Sequence, residues 1–166
     1  FRTRLLDECR DRKTRKTVKS YCKQDLLFYV NAFVWTYSPK SRHKVLPFIT
    51  YPFQDDALLV ILDHIERQIP LVIEKSRDVG ASWMCVIADE WLWHFHPWTQ
   101  SLMISREGEL VDGKSPDALF WKIDFIHRFL PNWLKPRMDR TKRYFENHDS
   151  NSTITGSPYW SSANRQ

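Results

Sequence analysis

The segment Leu71–Trp83, LVIEKSRDVGASW, constrains the fold of this chain more than any other stretch. LVIEK, residues 71–75, is a short apolar run of the kind found in buried strands; SRDVGAS breaks it, and an apolar helix begins within eight residues. A strand that turns this tightly into a helix gathers backbone N–H groups and a helix N-terminus around one point, which attracts anions. Against the phosphate-binding pattern GxxxxGK[ST], Lys75 falls at the first glycine, Gly80 at the second, Ala81 at the lysine and Ser82 at the hydroxyl. The pattern as written therefore fails at Ala81. The chemistry it serves needs backbone amides, a cation near the β- and γ-phosphates and a hydroxyl for Mg²⁺. Gly80 permits close approach to a phosphate, Ser82 carries the hydroxyl, and Lys75 or Arg77 carries the cation. On spacing alone, an ordinary strand-to-helix turn with a surface lysine and arginine fits equally well.

Around this segment the chain reads as alternating helices and strands. Residues 1–23 are polar and helix-permissive, an outer helix or arm. Residues 24–37 place apolar side chains at 26, 27, 30, 33 and 34, which is helical spacing. Pro47 and Pro52 make 45–53 extended connecting chain, and Asp55 and Asp56 are positioned to cap a helix running to Pro70. A mostly apolar helix is expected over 82–95, a strand over 101–105, and a helix after Ser115-Pro116-Asp117 that runs to Pro131. RYFEN (143–147) and STITG (152–156) resemble two paired strands. This order predicts an α/β sheet with helical crossovers.

Charge and cysteine content narrow the class. The net charge is +5, but residues 1–23 hold nine basic and three acidic side chains, +6, and the other 143 residues sum to −1. The excess is an N-terminal arm able to touch phosphates, with a second basic cluster at Lys135, Arg137, Arg140, Lys142 and Arg143. No apolar run approaches the ~18 residues of a membrane span, so no membrane role is expected. Three scattered cysteines, Cys9, Cys22 and Cys85, supply neither a disulfide framework nor a CxxC zinc site and favour a reducing compartment.

Two tempting motifs fail on physical grounds. VIADE (86–90) has the composition of a Walker B strand, yet only six residues separate Ser82 from Asp89, and a parallel crossover needs a dozen or more. Asp89 and Glu90 are therefore read as polar positions on a mostly buried helix. LLVILDH (58–64) precedes the loop and reads as helix. His94 and His96 form an HxH pair without a carboxylate or third histidine spaced to complete a metal group, and are read as helix-end histidines.

KSRDVGASW resembles the variant Walker A segment of the large terminase subunits of tailed phages, the ATP-driven motors of DNA packaging, in which the lysine often opens the loop. FYVNAFVWTYSP, LPFITYPFQDDAL, SLMISREGELVDGKSPDALFWK and NSTITGSP are similar to further segments of that family in the same order, covering about residues 22 to 160. The resemblance implies an α/β P-loop NTPase sheet of the ASCE type flanked by helices. It divides the chain into an N-terminal helical arm and linker, residues 1–53, and the N-terminal part of an ATPase domain, residues 54–166. It implies ATP and Mg²⁺ as cofactors and a phosphate loop of Lys75, Ser76, Arg77, Asp78, Val79, Gly80, Ala81 and Ser82. Lys75 would be the phosphate lysine, Ser82 the Mg²⁺ ligand, Arg77 the loop arginine and Gln54 the adenine-side residue. No catalytic acid is expected within the stretch, the Walker B strand and catalytic Glu lying beyond Gln166. Implied partners are double-stranded DNA, a homo-oligomeric ring, a portal protein and a small terminase subunit, in the host cytoplasm. A basic nucleic-acid-binding or assembly module without catalysis, and another P-loop translocase or helicase, are the alternatives.

Overall fold

The computed structural model describes residues 1–77 and 79–159. The chain forms two compact units, Phe1–Ala88 and Asp89–Gln166. Helices and two sheets make it a mixed α/β protein, as the alternating pattern predicts.

The first unit opens with helices α1 (Arg2–Glu8), α2 (Arg12–Gln24) and α3 (Leu26–Phe33). Asp11 and Asp25 set the two breaks: each carboxylate accepts from a backbone N–H three residues on, Thr14 at 2.8 Å and Phe28 at 2.9 Å. α2 buries only Val18 and Cys22, one turn apart, while α3 buries Leu26, Tyr29, Val30, Ala32 and Phe33. Arg2 closes the C-terminal end of α3. Its guanidinium donates to the carbonyls of Asn31 (2.7 Å), Val34 (2.9 Å), Val30 (3.1 Å) and Phe48 (3.2 Å). The Val30 and Val34 carbonyls also accept the backbone N–H groups of Val34 and Phe48, so Arg2 adds a second donor to each at the end of the helix.

α3 stops at Phe33, short of the helix expected to Tyr37. Val34 is extended, and β1 (Trp35–Tyr37) pairs antiparallel with β2 (Val45–Pro47), Trp35 opposite Pro47 and Tyr37 opposite Val45. The β-branched and aromatic run VWTY suits an extended chain, and Pro47 is tolerated because it ends a two-stranded ribbon. Pro52 then opens α4 (Pro52–Glu66) at its first turn. The cap comes from Gln54, whose Oε1 accepts from the Tyr51 N–H at 3.1 Å, and not from Asp55 or Asp56.

The strand expected over residues 71–75 does not form. Residues 69–76 have no regular structure, and Val72 is 92% exposed. A parallel strand is stable only with hydrogen-bonded neighbours and covered faces. Among the described residues no strand lies beside this segment: β1 and β2 pair with each other, and the remaining strands make a separate sheet. Helix α5 (Ala81–Phe95) follows, as expected, and contains VIADE together with Trp83, Trp91 and Trp93.

The second unit holds β3 (Gln100–Ser105), α6 (Gly108–Asp112), α7 (Leu119–Phe129), β4 (Met138–Thr141), β5 (Tyr144–Asn147) and β6 (Ser152–Pro158). The sheet order is β3-β6-β5-β4, with β3 and β6 parallel and the other pairs antiparallel. The expected pairing of RYFEN with STITG is present, Phe145 opposite Ile154. α7 starts at Leu119; Ser115 instead closes a turn, its carbonyl accepting from the Ala118 N–H at 3.0 Å. Met103, Phe145 and Ile154 are buried on one face of the sheet with Phe120, Ile123 and Ile126 of α7. A Cβ at Gly156 would stand 2.6 Å from Val111 and 2.9 Å from Phe120, so β6 lies against both helices only because residue 156 has no side chain. On the other face Leu102 and Ile104 of the edge strand β3 are 56% and 53% exposed.

Arg140 ties this unit together. Its guanidinium bonds Asp112 of α6 and Asp124 of α7, and lies 5.0 Å from the centroid of the Phe120 ring and 4.5 Å from that of Phe145. Asp112 also accepts from the Arg143 backbone N–H at 2.6 Å. Burial raises the Asp112 carboxyl and Arg140 and Arg143 lower it, the net result lying below the ordinary carboxylate value.

Candidate functional site

The loop that enters α5 brings Gln54 against Val79 and Gly80. Gln54 is buried; its Nε2 donates to the Val79 carbonyl at 3.0 Å while its Oε1 serves the start of α4. Gly80 has φ +82°, a left-handed conformation that glycine adopts without strain, and a Cβ there would lie 3.1 Å from Gln54 Nε2. The Gly80 carbonyl then accepts from the Met84 N–H at 3.0 Å, opening the helix. One glutamine amide thus fixes the path by which the loop meets the helix.

The other residues of the loop divide by exposure. Lys75, Ser76 and Arg77 face solvent, Val79 is half-buried, Ala81 is buried, and Ser82 is exposed in the first turn of α5. Asp78 lies outside the described residues. Solvent therefore reaches a hydroxyl at a helix start and, on the preceding segment, two cationic side chains, a set suited to a phosphate-bearing ligand. Gln54 is where the sequence reading needs restating: its amide already bonds two backbone groups, so it fastens the loop whether or not an adenine lies beside it. An open apolar groove of about 460 Å³ in the same unit is lined by Ile61, Ile65, Ile69, Leu71 and Ile73 among others.

α2 is the most strongly charged element. It contains no acidic residue, and Arg12, Lys13, Lys16, Lys19 and Lys23 are all exposed. Arg12, Lys16, Lys19 and Lys23 follow one another at intervals of three and four, so they share one side of the helix.

A second cluster, which the sequence reading dismissed, lies in the unit Asp89–Gln166. Glu90 and His94 sit one turn apart on α5, and His127 comes from α7. Glu90 Oε1 is 3.0 Å from His94 Nδ1 and 2.9 Å from His127 Nε2, and His94 Nε2 is 2.9 Å from the Leu134 carbonyl. Glu90 has no solvent exposure and the histidines almost none. Burial works against the Glu90 carboxylate, but the bonds from His127 and His94 outweigh it and hold the carboxyl below its ordinary value. The i, i+4 spacing of Glu90 and His94 is visible in sequence; His127, 33 residues beyond His94, has no spacing to betray it. Next to this cluster, Asp89 Oδ2 accepts from Ser101 Oγ at 3.0 Å, and burial pushes its carboxyl up to about 6.

Among the described residues no helix is long and apolar enough to cross a membrane. No family model matches the chain, and no curated protein matches it.

Proposed function

We propose that this chain binds ATP–Mg²⁺ at residues 75–82 as part of a P-loop motor ATPase of the large-terminase kind, acting on double-stranded DNA. The observation that carries the reading is the conformation at Gly80: a left-handed glycine leading directly into a helix whose first turn exposes Ser82. A helix start leaves first-turn backbone N–H groups without intrahelical acceptors, and with an exposed hydroxyl beside them that combination suits a triphosphate. In this reading Lys75 and Arg77 offset phosphate charge, Ser82 holds the metal, and Gln54 keeps the loop in place. Bound Mg²⁺ supplies charge neutralisation at the transferring phosphoryl group. ATP titrated with and without Mg²⁺ should bind the wild-type chain, and Lys75→Ala and Ser82→Ala should each weaken binding at least about tenfold. Unchanged affinity in both variants would remove the assignment.

The unpaired state of 71–75 gives the reading a second test. A loop that closes on a triphosphate must hold the segment before it, so ATP–Mg²⁺ should raise amide protection over 71–77. Protection that stays flat while ATP binds would put the nucleotide elsewhere.

The exposed cations of α2 support a DNA partner. Lys16→Glu with Lys19→Glu should weaken binding to duplex DNA of any sequence and reduce the salt slope by about two. Assembly as a ring, docking on a portal protein with a small terminase subunit, and residence in the host cytoplasm belong to the same proposal. α2 also favours one competing reading, a basic nucleic-acid-binding module without catalysis. Salt-sensitive DNA binding with no effect of nucleotide would select it.

A further inference from the structure

We propose that Glu90, His94 and His127 form a buried binding site for one divalent transition-metal ion, Zn²⁺ being the best fit. The inference is independent of the nucleotide site. It starts from the bonding of His94. Nε2 lies 2.9 Å from the Leu134 carbonyl, which can only accept, so Nε2 carries a hydrogen. The ring is thereby oriented with Nδ1 toward the Glu90 carboxylate at 3.0 Å. Two acceptors cannot face each other at that distance inside a protein. A hydrogen or a metal ion must therefore lie between Nδ1 and the carboxylate oxygen.

The surroundings match a metal. Glu90 Oε1, His94 Nδ1 and His127 Nε2 all lie within 4.8 Å of one another. Tetrahedral Zn²⁺, with bonds of about 2.0–2.1 Å, wants donors separated by about 3.3 Å, so the three atoms adjust by an ångström or so without leaving their helices. Two imidazoles and a carboxylate are a donor set that Zn²⁺ takes with a fourth position open to water. The bond from His94 Nε2–H to a backbone carbonyl is the outer-shell contact that metal-bound histidines use to fix tautomer and orientation. Both rings are also held by stacking, His94 on Phe95 at 4.1 Å and His127 on Trp93 at 5.4 Å between centroids.

Binding has a defined proton balance. In the metal-free state a proton lies between His94 Nδ1 and the Glu90 carboxylate; the ion displaces it to solvent. On His127 the hydrogen moves from Nε2, which becomes the ligand, to Nδ1, which in the metal-free state has no hydrogen-bond partner. One proton is released per ion bound.

Isothermal titration of the chelator-treated chain with Zn²⁺ tests the proposal. The expected result is one ion per chain, close to one proton released when buffers of different ionisation enthalpy are compared, and a higher melting temperature. Co²⁺ should give the visible absorption of a low-coordinate N/O site in the wild-type chain, a readout that depends on no variant folding. Glu90→Gln and His127→Gln should each weaken Zn²⁺ binding about 100-fold or more. A variant carrying His64→Asn, His148→Asn and Cys85→Ser, which removes donors outside the cluster, should bind as wild type. Loss of binding in that surface variant, retention of affinity in both site variants, or a folded wild-type chain that takes up no stoichiometric Zn²⁺ would each overturn the site.

Discussion

Gly80 and Gly156 show two different reasons for a glycine, and substitution separates them. Gly80 is required by its left-handed backbone beside Gln54, so Gly80→Ala should cost about 1–2 kcal/mol and also weaken ATP binding, as the loop leaves its path. Gly156 is required by space: a methyl group there meets Val111 at 2.6 Å. Gly156→Ala should cost about 1–3 kcal/mol through overpacking and leave nucleotide affinity alone. Chemical denaturation and ATP titration of the two variants check both expectations. Arg2 is a third decisive residue. Truncation to Ala removes the guanidinium from the carbonyls of Asn31 and Phe48 and the second donor from those of Val30 and Val34, and should lower stability by about 2 kcal/mol in urea unfolding. Burial lowers the Arg2 pKa only to about 10, so this cap stays charged through the neutral range.

At the scale of elements, α6, α7 and β4 are joined by Arg140 with Asp112 and Asp124. Asp112 titrates below its unfolded value, so its contribution is complete above that unfolded value and is lost as pH falls toward the folded one. Asp112→Asn should therefore destabilise the chain at pH 7 by about 2 kcal/mol and make progressively less difference as pH falls below the ordinary carboxylate range. Urea midpoints across that range measure it. The elements also show what could be read in advance. β3 was legible as a short apolar run, β5 and β6 as aromatic and β-branched segments on either side of turn residues, and α5 because its apolar length exceeds that of a strand. β4 was not: MDRT has no apolar alternation and is a strand because β5 offers it a partner. The segment 71–75 failed in the opposite sense, having strand composition and no partner among the described residues. Of the candidate site, the loop glycine and the exposed Ser82 followed from spacing. The anchoring by Gln54 and the approach of His127 to Glu90 depend on tertiary neighbours that no local pattern encodes.

For the whole molecule, the second unit covers one face of its sheet and leaves Leu102 and Ile104 exposed on the other, along an edge strand. Parallel pairs are ordinarily covered on both faces, and an open apolar edge promotes self-association. Leu102→Thr with Ile104→Thr should leave the melting temperature nearly unchanged and reduce concentration-dependent scattering; a large loss of stability would show that this face is buried in solution. The Arg2 contact has its own consequence at this scale. α1 buries none of its residues, so its attachment to α3 rests chiefly on one guanidinium and the buried Cys9 that follows it. Pulled from its N-terminus in an optical trap, the chain should yield first at that attachment, α1 peeling away as a discrete early step while α3 and its ribbon hold. The Arg2→Ala chain should begin to lengthen at a lower force.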